Sequence, residues 1–297
     1  MERQTSAATA APEDQEQDAA TSRDTHAAAA QNVLGAMYRS GHGVAQDNAK
    51  AVHWLRKAAD KGNADAQYGL GLMYKNGQGV TQDDAEAASW FRKAADHGSA
   101  PAQHIVAIMY ANGDGEIQDN AQAIVWLLKA VEQGYAPAQR SLGMMFEHGQ
   151  GVTEDEAQAV GWYKKAAVQG LDEAQYNLAE MYYDGRGVAQ DYVQAVRWYR
   201  KAADQGNVLA QANLGLAYCN GQGVAQEETE GAMWFRRAAE QGYASAQYVL
   251  GTMYERGWGV VKDDIQAVHW YREAASGGNV GAQKALLRMM EASGRGH

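Results

Sequence analysis

The sequence predicts an all-α repeat solenoid of seven 36-residue helix-turn-helix repeats and a closing half repeat, and two spacings predict it. Trp followed by an aromatic residue or Leu recurs at Trp54, Trp90, Trp126, Trp162, Trp198, Trp234 and Trp270, each step 36 residues. Ala followed by Gln recurs with the same step at Ala30, Ala66, Ala102, Ala138, Ala174, Ala210, Ala246 and Ala282. A fixed period without insertion or deletion is the signature of a stacked repeat array rather than of a single core.

Position 1 is taken as the Ala of each Ala-Gln pair. Leu or Val then stands at position 5, Gly or Ala at 6, Met mostly at 8, Tyr or Phe at 9, and Gly at 12 and 14, as in AQYGLGLMYKNGQG from Ala66. Intervals of four, seven and eight residues mark one apolar face of a helix, and the Gly that follows supplies the left-handed residue that stops it. Helix A therefore covers positions 1 to about 11.

The second half of each repeat opens at position 18 with Asp47, Asp83, Asp119, Asp155, Asp191, Glu227 and Asp263, usually with Glu or Gln three residues later. This is a capping-box pattern: the acid accepts an orphan backbone N–H, and the later side chain reaches back to the cap's own N–H. Helix B follows, with Ala at 22, Trp at 25, an aromatic or Leu at 26, Ala at 29 and Gly at 33. Helices of about 11 and 14 residues are marginal alone in water, so each must pack on its neighbours. The Trp residues of position 25 are the expected anchors, each worth about 3–5 kcal/mol on truncation to Ala.

The pattern A-Q-x-x-L-G-x-M-Y-x-x-G-x-G-V-x-x-D-x-x-x-A-x-x-W-Y-x-K-A-A-x-x-G resembles the Sel1-like repeat over about residues 30 to 292. The resemblance implies a right-handed α/α superhelix related to tetratricopeptide repeats, acting as an adaptor in bacterial regulatory, envelope or host-interaction complexes. It also occurs in immunity proteins that mask secreted effectors, the alternative role. Cysteine-rich members staple each repeat with paired cysteines. Here Cys219 stands alone, so their oxidising location does not carry over.

The repeats start at 30, 66, 102, 138, 174, 210 and 246, with the closing half repeat from 282. Residues 1–29 are Ala-rich and acidic, expected to be mobile, and 293–297 form a short C-terminal tail. The closing segment AQKALLRMMEASGRGH places Leu287 where other repeats carry Gly or Ala, as suits a capping helix with no later helix to admit.

A net charge of -10 argues against a nucleic-acid partner, which needs a dense basic face. The N-terminus lacks the apolar core of a secretory signal, and no run suggests a membrane span. The expected chain is a monomer without direct membrane insertion, cytoplasmic unless a signal peptide has been removed. Pairs such as Gly77-x-Gly79 follow a helix and lack the Gly-Lys of a phosphate loop. No His-Glu-x-x-His or Ser-x-x-Lys occurs, and His53 and His269 stand too far apart to share a metal. No catalytic residue, cofactor or metal site is expected; the partner is a protein.

Positions that packing dictates recur, and positions free for a partner diverge. Positions 3, 7 and 10 of helix A lie opposite its packed face at about 100° per residue, and the resemblance places them on the concave wall. This divergent stripe reads Tyr68, Leu72, Lys75; His104, Ile108; Arg140, Met144, Glu147; Tyr176, Glu180, Tyr183; Leu216, Cys219; Tyr248, Thr252 and Glu255. Such aromatic and aliphatic enrichment suits a protein interface. The other reading is that several of these side chains pack against the next helix A. Trp258, the one Trp off register, is a candidate loop anchor or a cover for the end of the array. Repeat 3 departs most, with Glu116, Leu128 and Val131, either as a contact patch or as tolerated drift.

Overall fold

The computed structural model of the protein describes residues 12–114 and 118–294, and among them stand 15 helices and no strand. Helix A of successive repeats is α1 (Pro12–Ser40), α3 (Ala64–Asn76), α5 (Ala100–Asn112), α7 (Ala136–His148), α9 (Asp172–Asp184), α11 (Val208–Asn220) and α13 (Ala244–Arg256). Helix B is α2 (Asn48–Ala59), α4 (Asp84–Asp96), α6 (Asn120–Glu132), α8 (Glu156–Val168), α10 (Tyr192–Asp204), α12 (Glu228–Glu240) and α14 (Asp264–Ser276), and α15 (Val280–Gly294) closes the array. The chain divides after Ala138 into two compact halves, within each of which helices adjacent in sequence pack on one another.

The acid at position 18 caps helix B as expected. Asp47, Asp83, Asp119, Asp155, Asp191 and Asp263 accept the N–H three residues on at 2.9–3.0 Å. Glu227, one methylene longer, makes no such bond. The reciprocal half of the box is absent from these caps, because their own N–H is already spent: Asp83 and Asp191 donate to the carbonyls of Tyr74 and Tyr182 at the end of the preceding helix A. That bond fixes the turn between the two helices, whose glycines at positions 12 and 14 both take positive φ. Gly223 (φ 72) has a second constraint, since a Cβ there would collide with the Tyr192 carbonyl of the preceding helix B.

Ala at positions 1, 22 and 29 is almost wholly buried from the second repeat on, as the close approach of helices requires, while Ala30 at the start of the array is exposed. The deepest large side chains are those of position 26 rather than the Trp of position 25. Tyr163, Tyr199 and Tyr271 are at most 1% exposed, whereas Trp54, Trp126, Trp162, Trp198 and Trp270 are only half-buried. One residue turns the helix by about 100°, which carries Trp toward the rim in these five repeats, whereas Trp90 and Trp234 are buried, at 6% and 5% exposure, and swings position 26 onto helix A. There the ring lies against position 6: a Cβ on Gly71, Gly143 or Gly251 would meet Phe91, Tyr163 or Tyr271 at 2.7–2.8 Å. Every position-25 Trp ring but that of Trp270 has over it the cation three residues on, as with Lys93 over Trp90 and Lys165 over Trp162.

The Gln after the position-1 Ala is a buried bridge. Gln175 donates to the Ala167 carbonyl at the end of the preceding helix B and accepts from Gln205 at the end of its own. Gln211 repeats this with Ala203 and Gln241. Buried amides of this kind add a second bond to helix C-terminal carbonyls that the N–H groups of Gly170 and Gly206 also reach.

Residues 1–11 and 295–297 lie outside the described residues, as does Glu116. Residues 12–29, for which composition suggested mobility, are helical and run into helix A of the first repeat as α1. Ala28 is buried there, and Asp24 pairs with Lys61 at 3.2 Å, so this segment has contacts that composition alone did not reveal. In repeat 3, Leu128 is exposed and Val131 half-buried.

Candidate protein-interaction surface

The divergent stripe lies over the position-26 side chain of its own repeat. In the N-terminal half, Tyr68 sits 5.9 Å from Phe91 between ring centroids, and Leu72 packs on the same cluster. His104 meets Tyr135 edge-on, while Lys75 and Ile108 are exposed.

In the C-terminal half the stripe carries a ladder of carboxylates. Glu147 accepts from the Tyr163 hydroxyl and from Arg186 Nη1 at 2.7 Å, the arginine belonging to the following repeat. Burial pushes the Glu147 carboxyl up, but the Tyr163 hydroxyl and the Arg186 guanidinium outweigh it and hold the group below the usual carboxylate range. One repeat on, Glu180 accepts from the Tyr199 hydroxyl and from Asn213 of the next repeat at 2.8 Å. Burial and the Glu180 charge both drive the Tyr199 phenol far above its ordinary value. In the last repeat Tyr271 donates to Glu255 at 2.7 Å, Thr252 shares that hydroxyl, and Arg288 of α15 closes on Glu255. Burial, partly offset by Thr252, raises Tyr271 to about 12.

Several of the expected contact residues are thus framework. Arg140 bonds Asn177 of the next repeat at 2.9 Å. Tyr176 and Tyr248 lean on Tyr199 and Tyr271, and Tyr183 stands against Tyr192 and bonds Gln222. Met144 is half-buried. The packing reading fits these rungs, because a half-buried polar side chain opposite a buried tyrosine is more useful to the array as a bond than as a free surface.

Repeat 6 breaks the ladder at every rung. The Glu180–Asn213 pair becomes Leu216 and Val249, the Glu147–Arg186 pair becomes Cys219 and Trp258, and the tyrosine of position 26 becomes Phe235. These five side chains, with Met253, Asn220 and Glu228, line a cavity of about 250 Å³. Leu216 and Trp258 are each 45% exposed at its mouth, and Arg256 lies 4.6 Å over the Trp258 ring. Cys219 is half-buried; burial first and the Glu228 charge second push its thiol up, away from the reactive thiolate. The sequence singled out Leu216 and Trp258 separately. That they face one cavity follows from the register of positions 7 and 13 in neighbouring repeats, a relation visible only once one rung is known to be an ion pair.

No group of three or more His, Cys, Asp or Glu side chains that could hold a metal occurs among the described residues. No helix among them is long and apolar enough to cross a membrane.

The family model for the Sel1 repeat matches seven times, over residues 28–63, 64–99, 100–135, 136–171, 172–207, 208–243 and 244–279. No curated protein matches the chain. Among solved structures, a protective antigen present in uropathogenic Escherichia coli strains, with an SLR fold, aligns at 38% identity and a TM-score of 0.79. The alignment covers 95% of this chain but only 59% of that one. A Sel1 repeat protein from Oxalobacter formigenes aligns at 39% identity with a TM-score of 0.73, covering 88% of this chain and 76% of the other. With seven consecutive repeats in one register and the helix pairs to match, the chain belongs to the Sel1 repeat family.

Proposed function

We propose that this protein is a non-enzymatic scaffold that holds another protein, and that its contact surface includes the notch between repeats 6 and 7. Sel1 repeat proteins are generally protein-interaction scaffolds. The observation that carries the reading is that, within the C-terminal half, repeat 6 replaces every polar rung by an apolar side chain, which leaves Leu216 and Trp258 exposed around an open cavity. Packing alone does not ask for this, since the neighbouring repeats satisfy the same positions with buried bonds. A cavity of about 150 Å³ admits benzene, so the notch has room for one large apolar or aromatic side chain. Exposed Trp beside an apolar pocket is the composition of an interface anchor. The partner supplies a protein segment with such a side chain, within a bacterial regulatory, envelope or host-interaction complex.

The test is capture from the native cell by the full chain and by a Leu216→Asp, Trp258→Ala variant, read by mass spectrometry. The variant is expected to lose the partner that the wild type holds while keeping its helical circular dichroism. Retention of the same partner by a folded variant contradicts the proposal.

A further inference from the structure

A second feature of the C-terminal half lies on the helix B side. Between α10 and the Gly223–Val224 turn of the next repeat is a cavity of about 630 Å³, floored by Val193, Val196 and Trp198 and rimmed by Arg197, Arg200 and Lys201. At the same register one repeat on, Met233 and Val260 floor a cavity of about 430 Å³ rimmed by Arg236 and Arg237. Each has a single acidic side chain at its edge, Asp204 and Glu240. Five cations against two carboxylates make this a positive patch on a chain whose net charge is -10.

Four of the five cations are held in place by a phenol or a ring. Arg200 and Arg236 donate to the hydroxyls of Tyr218 and Tyr254 of the following repeat. Lys201 Nζ stands 4.1 Å over the Trp198 ring and the Arg237 guanidinium 4.3 Å over Trp234. A cation already fixed by a ring or a phenol loses little side-chain freedom when an anion arrives. Arg197 is the residue that breaks the repeat: its position carries His53, Ser89, Val125, Gly161, Met233 and His269 elsewhere, and it adds a third cation, itself exposed, beside the exposed Val193.

We propose that these two cavities bind an acidic peptide segment of a partner, its carboxylates on Arg197, Lys201 and Arg237 and its apolar side chains on the valine and methionine floors. Charge complementarity selects the occupant. An acidic segment is repelled by the chain as a whole and attracted to this face, where Arg197 adds to the basic pair of helix B, which steers the encounter and makes it depend on ionic strength. The site is independent of the Leu216 notch, so either can fail alone.

The experiment is fluorescence anisotropy of a fluorescein-labelled peptide of repeated Glu-Glu-Leu triplets titrated with the full chain. The expected result is saturable binding that weakens as salt rises, falls roughly tenfold or more in an Arg197→Glu, Lys201→Glu, Arg237→Glu variant, and persists in the Leu216→Asp, Trp258→Ala variant. The single exposed change Arg197→Ala, which removes charge without adding repulsion, is expected to weaken binding as well. Absence of saturable binding, equal affinity of folded charge variants, or equal affinity for a Lys-Lys-Leu peptide overturns the proposal.

Discussion

Replacing Glu147 by Gln keeps the shape of the side chain and removes its charge from between Tyr163 and Arg186. The Glu147 side chain is 9% exposed, so both bonds are made largely out of water. A hydrogen bond to a charged group is worth about 1.5–3 kcal/mol against about 0.5–1.5 for a neutral one, so each bond weakens by about 1 kcal/mol. The amide is cheaper to bury than the carboxylate, which offsets part of this and leaves a net loss of about 1–2 kcal/mol at neutral pH. The sign with pH follows from the depressed folded pKa. A carboxyl whose pKa is lower folded than unfolded stabilises fully above the unfolded value, about 4.3 for Glu. That stabilisation fades as pH falls through the folded pKa. Urea unfolding followed by circular dichroism, stepped from neutral pH to pH about 3, reads the difference. The wild type is expected to be more stable than Glu147→Gln at neutral pH, with the gap closing on acidification. A gap that does not change with pH, or a Gln variant of equal stability at neutral pH, refutes the assignment of this carboxylate as a bonding rung.

Tyr199→Ala is expected to cost about 3–5 kcal/mol, and Trp198→Ala in the same helix clearly less, because the tyrosine is 1% exposed and the Trp only half-buried; thermal melts of the two variants compare them, and the reverse order contradicts the packing described. Alkylation of Cys219 by a maleimide is expected to be slow at neutral pH and to rise only toward alkaline pH, since burial and Glu228 raise its pKa. Glu228→Gln shifts that profile to lower pH, and Trp258→Ala speeds the reaction by opening the notch.

The repeat register, the Asp caps and the glycine stops were all legible from spacing, because each depends on backbone geometry that recurs wherever the residue does. The rank of Trp and Tyr was not, since both are large and apolar and only the rotation between adjacent helical positions decides which is buried. The Gln bridge was visible as a pattern but not as a bond, because its partners stand 8 and 30 residues away. The helical extension over Pro12–Ser40 escaped an argument from composition, which weighs charge and alanine content and takes no account of contacts such as Asp24 with Lys61. The candidate site was half legible: Leu216 and Trp258 stood out as breaks in the repeat, yet Tyr176, Tyr248 and Glu180 did so too, and only their bonds assign them to the framework.

The claim that the repeat supplies the shape while its breaks supply the contact is tested most directly by photo-cross-linking. The full chain carrying benzoylphenylalanine at Leu216, expressed in the native cell, is irradiated and its adducts identified by mass spectrometry, beside a control carrying the same group at the exposed Val168 of α8. A defined protein adduct from position 216 that is absent from position 168 is the predicted result; no adduct at 216, or the same adduct from both positions, contradicts it.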